Sequence, residues 1–197
     1  MKRKSILLVA VLALFISFAH TGNANDFPVG TKLENFTLLD LDGKEQSFDK
    51  LKGKNGAVLI WLSAQCPVVK AYNNRINAIA GDLKAKGINV IGINSNATES
   101  LDWVKSDAAD VGYKFPVLID KGNVLADKLG ATVTPEVYYF NEKNVLLYHG
   151  AIDNDRSGKN PTNLYLRDAS EAVLAGKEVA TKKANAFGCT IKRLESR

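Results

Sequence analysis

Apolar residues along this chain fall into two alternating patterns: short unbroken runs, and longer stretches stepping by three and four residues. Residues 57–62 (Ala-Val-Leu-Ile-Trp-Leu) form an unbroken run, which predicts a strand buried on both faces. From Val69 the period changes, and Val69, Tyr72, Ile76, Ile79 and Leu83 share one face of a helix predicted over 67–86 and ended by Gly87. Residues 88–93 read as the next buried strand, 99–109 as a helix, 115–119 as a strand and 124–129 as a short helix closed by Gly130. Upstream, apolar segments on either side of Asp42-Gly43 predict a hairpin over 36–48.

The last third reads differently. Residues 137–140 and 145–148 are two strands joined by the polar turn 141–144, hence antiparallel. Acidic and amide side chains crowd the start of the loop 153–160, as in a calcium loop. The closing Glu of that motif is missing, so the segment reads as a solvated, mobile loop. A final helix is predicted over 161–175, with Leu164, Leu166, Ala169, Val173 and Leu174 as its apolar positions, before a Lys-rich tail from 177. Strands separated by helices, then an antiparallel hairpin and a closing helix, imply an α/β domain: a mixed central sheet with helices on both faces and an N-terminal hairpin. No internal repeat or second domain is expected.

Composition alters this picture first at the N-terminus. Met1-Lys2-Arg3-Lys4 is a positive start, residues 6–19 are apolar except Ser17, and Gly22-Asn23-Ala24 offers small residues for cleavage. The apolar run is shorter than the ~20 residues a membrane span needs. Residues 1–24 therefore read as a signal peptide, and 25–197 as an exported, periplasmic or secreted chain without a membrane span. The chain carries 26 basic and 21 acidic residues, +5 overall. The leader holds three of the basic residues and no acid, which leaves the remainder near neutral. With no basic cluster on an aromatic face, no nucleic-acid partner is expected. Of two His, only His149 lies outside the leader. No metal or other cofactor is expected, and His149 reads as a polar contact remote from any chemistry.

The remaining candidates are the only two cysteines, Cys66 and Cys189. Cys66 stands just past a buried strand where an amphipathic helix opens, and Pro67 behind it suits the first helical position. A thiol there meets unpaired backbone N–H groups and the positive end of the helix dipole, which favour the reactive thiolate. In an exported chain the two thiols read as a redox pair, a structural bridge or two unpaired groups.

Phe36-Thr37-Leu38, Leu41-Asp42-Gly43-Lys44, Ser47-Phe48 and Leu51-Lys52-Gly53-Lys54, running into Val58-Leu59-Ile60-Trp61 and Cys66-Pro67, resemble the redoxin family. That family joins alkyl hydroperoxide reductases, thiol-specific antioxidants and exported thioredoxin-like proteins. Thr134-Pro135-Glu136 looks like its cis-proline segment. Asn94-Ser95-Asn96, residues 148–153 and Gly188-Cys189-Thr190-Ile191-Lys192 look like a peroxiredoxin-like branch. The resemblance implies a thioredoxin fold with Pro135 cis beside Cys66.

Two departures stand out. Cys66-Pro67-Val68-Val69 lacks the second Cys of Cys-x-x-Cys. The peroxiredoxin pattern keeps Ser63 three residues before Cys66 but has Leu59 where its proline belongs, and no Arg stands near the strand after Pro135. Arg75 is the one substitute within reach, and it reads more simply as a solvated helix-face charge. The resemblance thus implies a thiol-disulfide oxidoreductase acting through Cys66, with Ser63, Thr134 and Pro135 shaping the site. Its partners are a protein thiol or disulfide and a reducing partner protein. The alternatives are a hydroperoxide-reducing peroxidase resolved by Cys189 on a mobile tail, and a non-enzymatic binding module.

Overall fold

The structure, a computed structural model, describes residues 27–157 and 159–194; the leader expected over 1–24 lies outside them. Nine strands and five helices follow one another among the described residues. They are β1 (Thr37–Asp40), β2 (Glu45–Ser47), α1 (Phe48–Leu51), β3 (Ala57–Trp61), α2 (Pro67–Ala85), β4 (Asn89–Asn94), α3 (Leu101–Val111) and β5 (Val117–Ile119). There follow α4 (Val124–Leu129), β6 (Val133–Thr134), β7 (Glu136–Phe140), β8 (Leu146–Gly150), α5 (Tyr165–Leu174) and β9 (Cys189–Thr190). Seven strands make one sheet in the order β2-β1-β5-β4-β3-β7-β8, and β6 pairs with β9 apart from it. β4 runs parallel to β3 and β5, whereas β7 and β8 are antiparallel, which makes the sheet mixed as expected.

The apolar run 57–62 lies at the centre because both its faces are consumed. Val58, Ile60 and Leu62 point into a core closed by α2, α3 and α5. Ala57, Leu59 and Trp61 point into a second core closed by α1 and α4. Period-two alternation in a strand with no polar face requires a layer on each side. The buried positions of α2 are Val69, Tyr72, Ile76, Ile79, Ala80 and Leu83, the face that the sequence spacing predicts.

Four expectations need correction. Phe48 does not extend the hairpin: it starts α1, because Asn35 Oδ1 accepts both the Ser47 hydroxyl (3.1 Å) and the Asp49 N–H (3.0 Å) and turns the chain inward. The last helix begins at Tyr165 rather than Pro161, since the Asn154 side-chain oxygen accepts the N–H groups of Thr162 (2.9 Å) and Asn163 (3.0 Å) and holds them in a turn. The loop from Asp153 is built rather than loose. Asp155 accepts the backbone N–H groups of Ser157, Lys159 and Asn160, and these bonds, Asn160 foremost, hold its carboxyl well below the usual carboxylate range. Arg75 is no solvated charge: its guanidinium pairs with buried Asp153 and lies 4.3 Å over the Tyr72 ring, while the Tyr72 hydroxyl donates to Asp153 (2.7 Å).

Buried tyrosines give this core a pH signature. Burial pushes the Tyr139 phenol up to about 12, with Glu142 adding to it, and burial likewise raises Tyr72, Tyr113 and Tyr148. A raised folded-state value means that the unfolded chain loses these protons first. Their contribution is therefore complete below about pH 10, the unfolded value, and is lost as pH rises through 12. Urea midpoints should be level from pH 8 to 9.5 on this account and fall steeply by pH 11. A midpoint still level at pH 11 would contradict the burial.

Candidate active site around Cys66

Cys66 is the N-cap of α2. Its backbone is extended (φ −76°, ψ 115°), its carbonyl accepts the Lys70 N–H (3.0 Å), and Pro67 occupies the first helical position. The sulfur thus sits at the positive end of a 19-residue helix. It is bonded to Cys189 in a disulfide with Cα atoms 5.8 Å apart, across 123 positions of sequence. Of the three readings of the two thiols, the unpaired one is removed.

The turn before Cys66 is held by a residue that the sequence pattern did not single out. The Glu99 carboxylate accepts the Ser63 hydroxyl (2.5 Å), the Ala64 and Gln65 N–H groups (3.1 Å each) and the Asn94 side-chain amide (2.6 Å). One anion gathers four donors from the end of β3, the following turn and β4. Ser63 accordingly points to Glu99 and supports the turn; its hydroxyl proton is not available to the Cys66 sulfur. Glu99 stood inside the predicted helix 99–109, where an acid near the first turn is unremarkable. α3 instead begins at Leu101, with Ser100 as the cap accepting the Trp103 N–H (3.3 Å).

On the other side of the sulfur, Thr134–Pro135 is a cis peptide bond, as the resemblance implies. The Thr134 carbonyl oxygen lies 3.2 Å from Cys66 Sγ. Pro135 leads into β7, whose first residue, Glu136, is 4% exposed. Glu136 Oε2 accepts the N–H groups of Thr132 (2.8 Å) and Val133 (3.2 Å), while Oε1 lies 2.6 Å from His149 Nε2. The His149 ring stacks on Tyr138 at 4.0 Å. His149 is therefore a buried polar partner beside the cis-proline loop rather than a remote one. An acid directly after Pro135 in an otherwise apolar strand, in a chain with one such His, was the available signal.

The tail is strapped down, against the expectation of a mobile segment. The His149 N–H donates to the Lys182 carbonyl and the Ala184 N–H to the His149 carbonyl (3.1 Å each), so the tail lies along β8. It then crosses Thr134 as β9, with Cys189 opposite Thr134 and Thr190 opposite Val133. Past the cysteine, the Ile191 N–H donates to the Thr132 carbonyl (2.9 Å), and the Lys192 N–H to Asn96 Oδ1 (3.0 Å). Arg193 Nε reaches Asp127 (2.8 Å). Under this strand Cys66 is 1% exposed and Pro135 is buried.

Removing the Glu99 anion should loosen the turn without touching either sulfur. Glu99→Ala is expected to slow exchange between reduced Cys66 and a small aromatic disulfide about tenfold, through misplacement of the nucleophile. It should also cost about 1–2 kcal/mol of stability. The informative readout is the pH profile of that rate, which a purely structural role would leave in place.

The chain is similar to known proteins in sequence and in fold. The chain matches the Redoxin family over residues 28–165. Thiol-disulfide oxidoreductase ResA of Halalkalibacterium halodurans is 30% identical over 158 residues, covering 79% of this chain and 85% of its own length. A hypothetical protein from Sinorhizobium meliloti 1021 superposes with a TM-score of 0.80 at 32% identity, covering 87% of this chain and 98% of its own. An uncharacterized conserved protein from Geobacillus kaustophilus does so with a TM-score of 0.81 at 30% identity, covering 88% and 96%. Placed at a helix start beside a cis-proline, on a mixed sheet of thioredoxin type, the Cys66–Cys189 pair lies in a chain that belongs to the redoxin family.

Proposed function

We propose that this chain is an exported thiol-disulfide oxidoreductase in which Cys66 is the nucleophile and Cys189, from the tail, takes the part that the second cysteine of Cys-x-x-Cys plays elsewhere. The observation that carries the reading is the disulfide itself, placed at the α2 N-terminus against cis-Pro135. In the reducing direction the Cys66 thiolate attacks a substrate disulfide, whose S–S bond breaks and releases one substrate thiolate. The Cys189 thiolate then attacks the Cys66 sulfur of the mixed disulfide and releases the second. Two electrons pass to the substrate, which takes up two protons, and the Cys66–Cys189 bond is formed. A dithiol partner protein returns the pair to the reduced state by the reverse exchange.

Peroxidase chemistry is less well served. It calls for donors that polarise the peroxide at the thiolate. The Ser63 hydroxyl is committed to Glu99, and the Arg75 guanidinium to Asp153. In a purely non-enzymatic module the cysteine pair would serve stability alone and would not need a helix N-terminus beside a cis-proline. Export rests on the N-terminal leader over 1–24 and places residues from about 25 onward, as one domain, in a compartment where a disulfide persists. Among the described residues no helix is long and apolar enough to cross a membrane.

The test is stopped-flow mixing of the reduced protein with an oxidised protein disulfide and, separately, with hydrogen peroxide. The expected result is loss of two thiols per chain, matched by two substrate thiols released, with the protein disulfide as the faster oxidant. A faster reaction with peroxide at equal concentration would favour the peroxidase instead.

A further inference from the structure

The strand that covers Cys66 pairs with β6 and runs close against the cis-proline loop. Phe187 is half-buried, with Tyr72 at 6.3 Å between ring centroids and Arg156 at 5.5 Å over its face. Gly188 passes so close to the cis-proline loop that a Cβ built on it falls on the Thr134 carbonyl oxygen, well inside contact distance, and 3.2 Å from the Pro135 nitrogen. That obstacle is backbone, so it has no rotamer to yield. Cys189 then stands opposite Thr134, Thr190 is exposed, and Ile191 is buried at 2% in the core that also holds Leu33 and Trp61.

The geometry points to a sequence-selective substrate groove. The β6 edge takes an extended polypeptide with glycine directly before its reactive cysteine and an aliphatic residue two positions after it. The tail segment 187–191 is the chain's own occupant of that groove, and an incoming segment takes its place. This inference rests on the oxidoreductase reading and adds the class of partner: a protein cysteine in an extended Gly-Cys-x-aliphatic segment, bound by strand pairing. Strand addition supplies affinity through the backbone, and alternate side chains supply the selection. Here a steric filter adds to it, because any side chain before the cysteine meets a fixed carbonyl.

The exchange balances without an outside oxidant. A peptide thiol activated as its mixed disulfide with thionitrobenzoate is attacked by the Cys66 thiolate. The peptide–thionitrobenzoate S–S bond breaks, the Cys66–peptide S–S bond forms, and the coloured thionitrobenzoate anion leaves. The full chain carrying Cys189→Ser holds this product, since no internal thiol displaces the peptide.

Three peptides are compared: the sequence of residues 185–192, and its Gly188→Val and Ile191→Asp counterparts. Each rate is divided by that of the same peptide with dithiothreitol, which removes differences in intrinsic reactivity. The parent peptide should react at least about tenfold faster than the Gly188→Val peptide and about tenfold faster than Ile191→Asp. Equal normalised rates for the parent and Gly188→Val peptides would overturn the inference. Free bis-thionitrobenzoate disulfide separates the two levels. If it reacts with Cys66 while the peptides are not distinguished, only the groove selectivity fails. If Cys66 fails to react with it as well, the oxidoreductase reading fails and the inference with it.

Discussion

Replacing Cys189 with serine should stop turnover while leaving the first exchange at Cys66 intact. With Cα atoms 5.8 Å apart in the paired state and the tail anchored on both sides, Cys189 presents its thiol at an effective molarity that no free thiol in the millimolar range matches. Steady-state reduction of a protein disulfide should fall by about a hundredfold or more. Mass spectrometry should find Cys66 held as a mixed disulfide with substrate. The same variant loses a cross-link spanning 123 positions, worth up to about 5 kcal/mol on the chain-entropy argument. Its urea midpoint should therefore match that of the reduced parent, well below the oxidised one. Turnover equal to the parent's, with the stability loss alone, would make the bridge structural and remove Cys189 from the mechanism.

Glu136→Ala should produce the largest stability loss of any single polar substitution near the site. The carboxylate is the partner of two part-buried backbone N–H groups and of a buried imidazole, and alanine leaves all three without it. Leaving a buried polar group without its partner costs about 1–3 kcal/mol, and three groups lose theirs together here. Glu136→Gln keeps one acceptor oxygen and should fall between the two. The functional echo follows from the chain path. Thr132, whose N–H Glu136 holds, also accepts the Ile191 N–H, so loosening the loop loosens the strand over Cys66. Alkylation of Cys66 in the reduced variant should accelerate in step with the stability loss. Urea unfolding checks the first expectation, and a loss under about 1 kcal/mol would mean that water replaces the carboxylate.

How much of this was legible in the sequence depended on the range of the interaction. The apolar run 57–62 and the α2 spacing were readable because burial on two faces, or on one helical stripe, writes itself into neighbouring positions. The hairpin at Asp42-Gly43, the short helix closed by Gly130 and the placement of Cys66 at a helix start are local in the same sense. The cis state of Pro135 was reached only through family resemblance, since trans is the ordinary state of an X–Pro bond.

What tertiary structure alone decided lies at long sequence separation. Glu99 finds Ser63, 36 positions away, and Glu136 finds His149 on the neighbouring strand. Neither pairing leaves a periodic trace, because a buried carboxylate is placed by whichever donors the fold brings to it. The same holds for Arg75, which reads as a surface charge until Asp153 is folded against it. The tail shows the limit most clearly. Lysines and small residues over 177–188 look like a solvated end, yet Lys182 and Ala184 bind β8 through backbone groups that every residue carries. Side-chain identity determined which residues can be buried and which bend the chain. Which backbone edges were left open, and that this chain's own tail would fill the one beside Cys66, was decided only by the assembled sheet and its cis-proline loop.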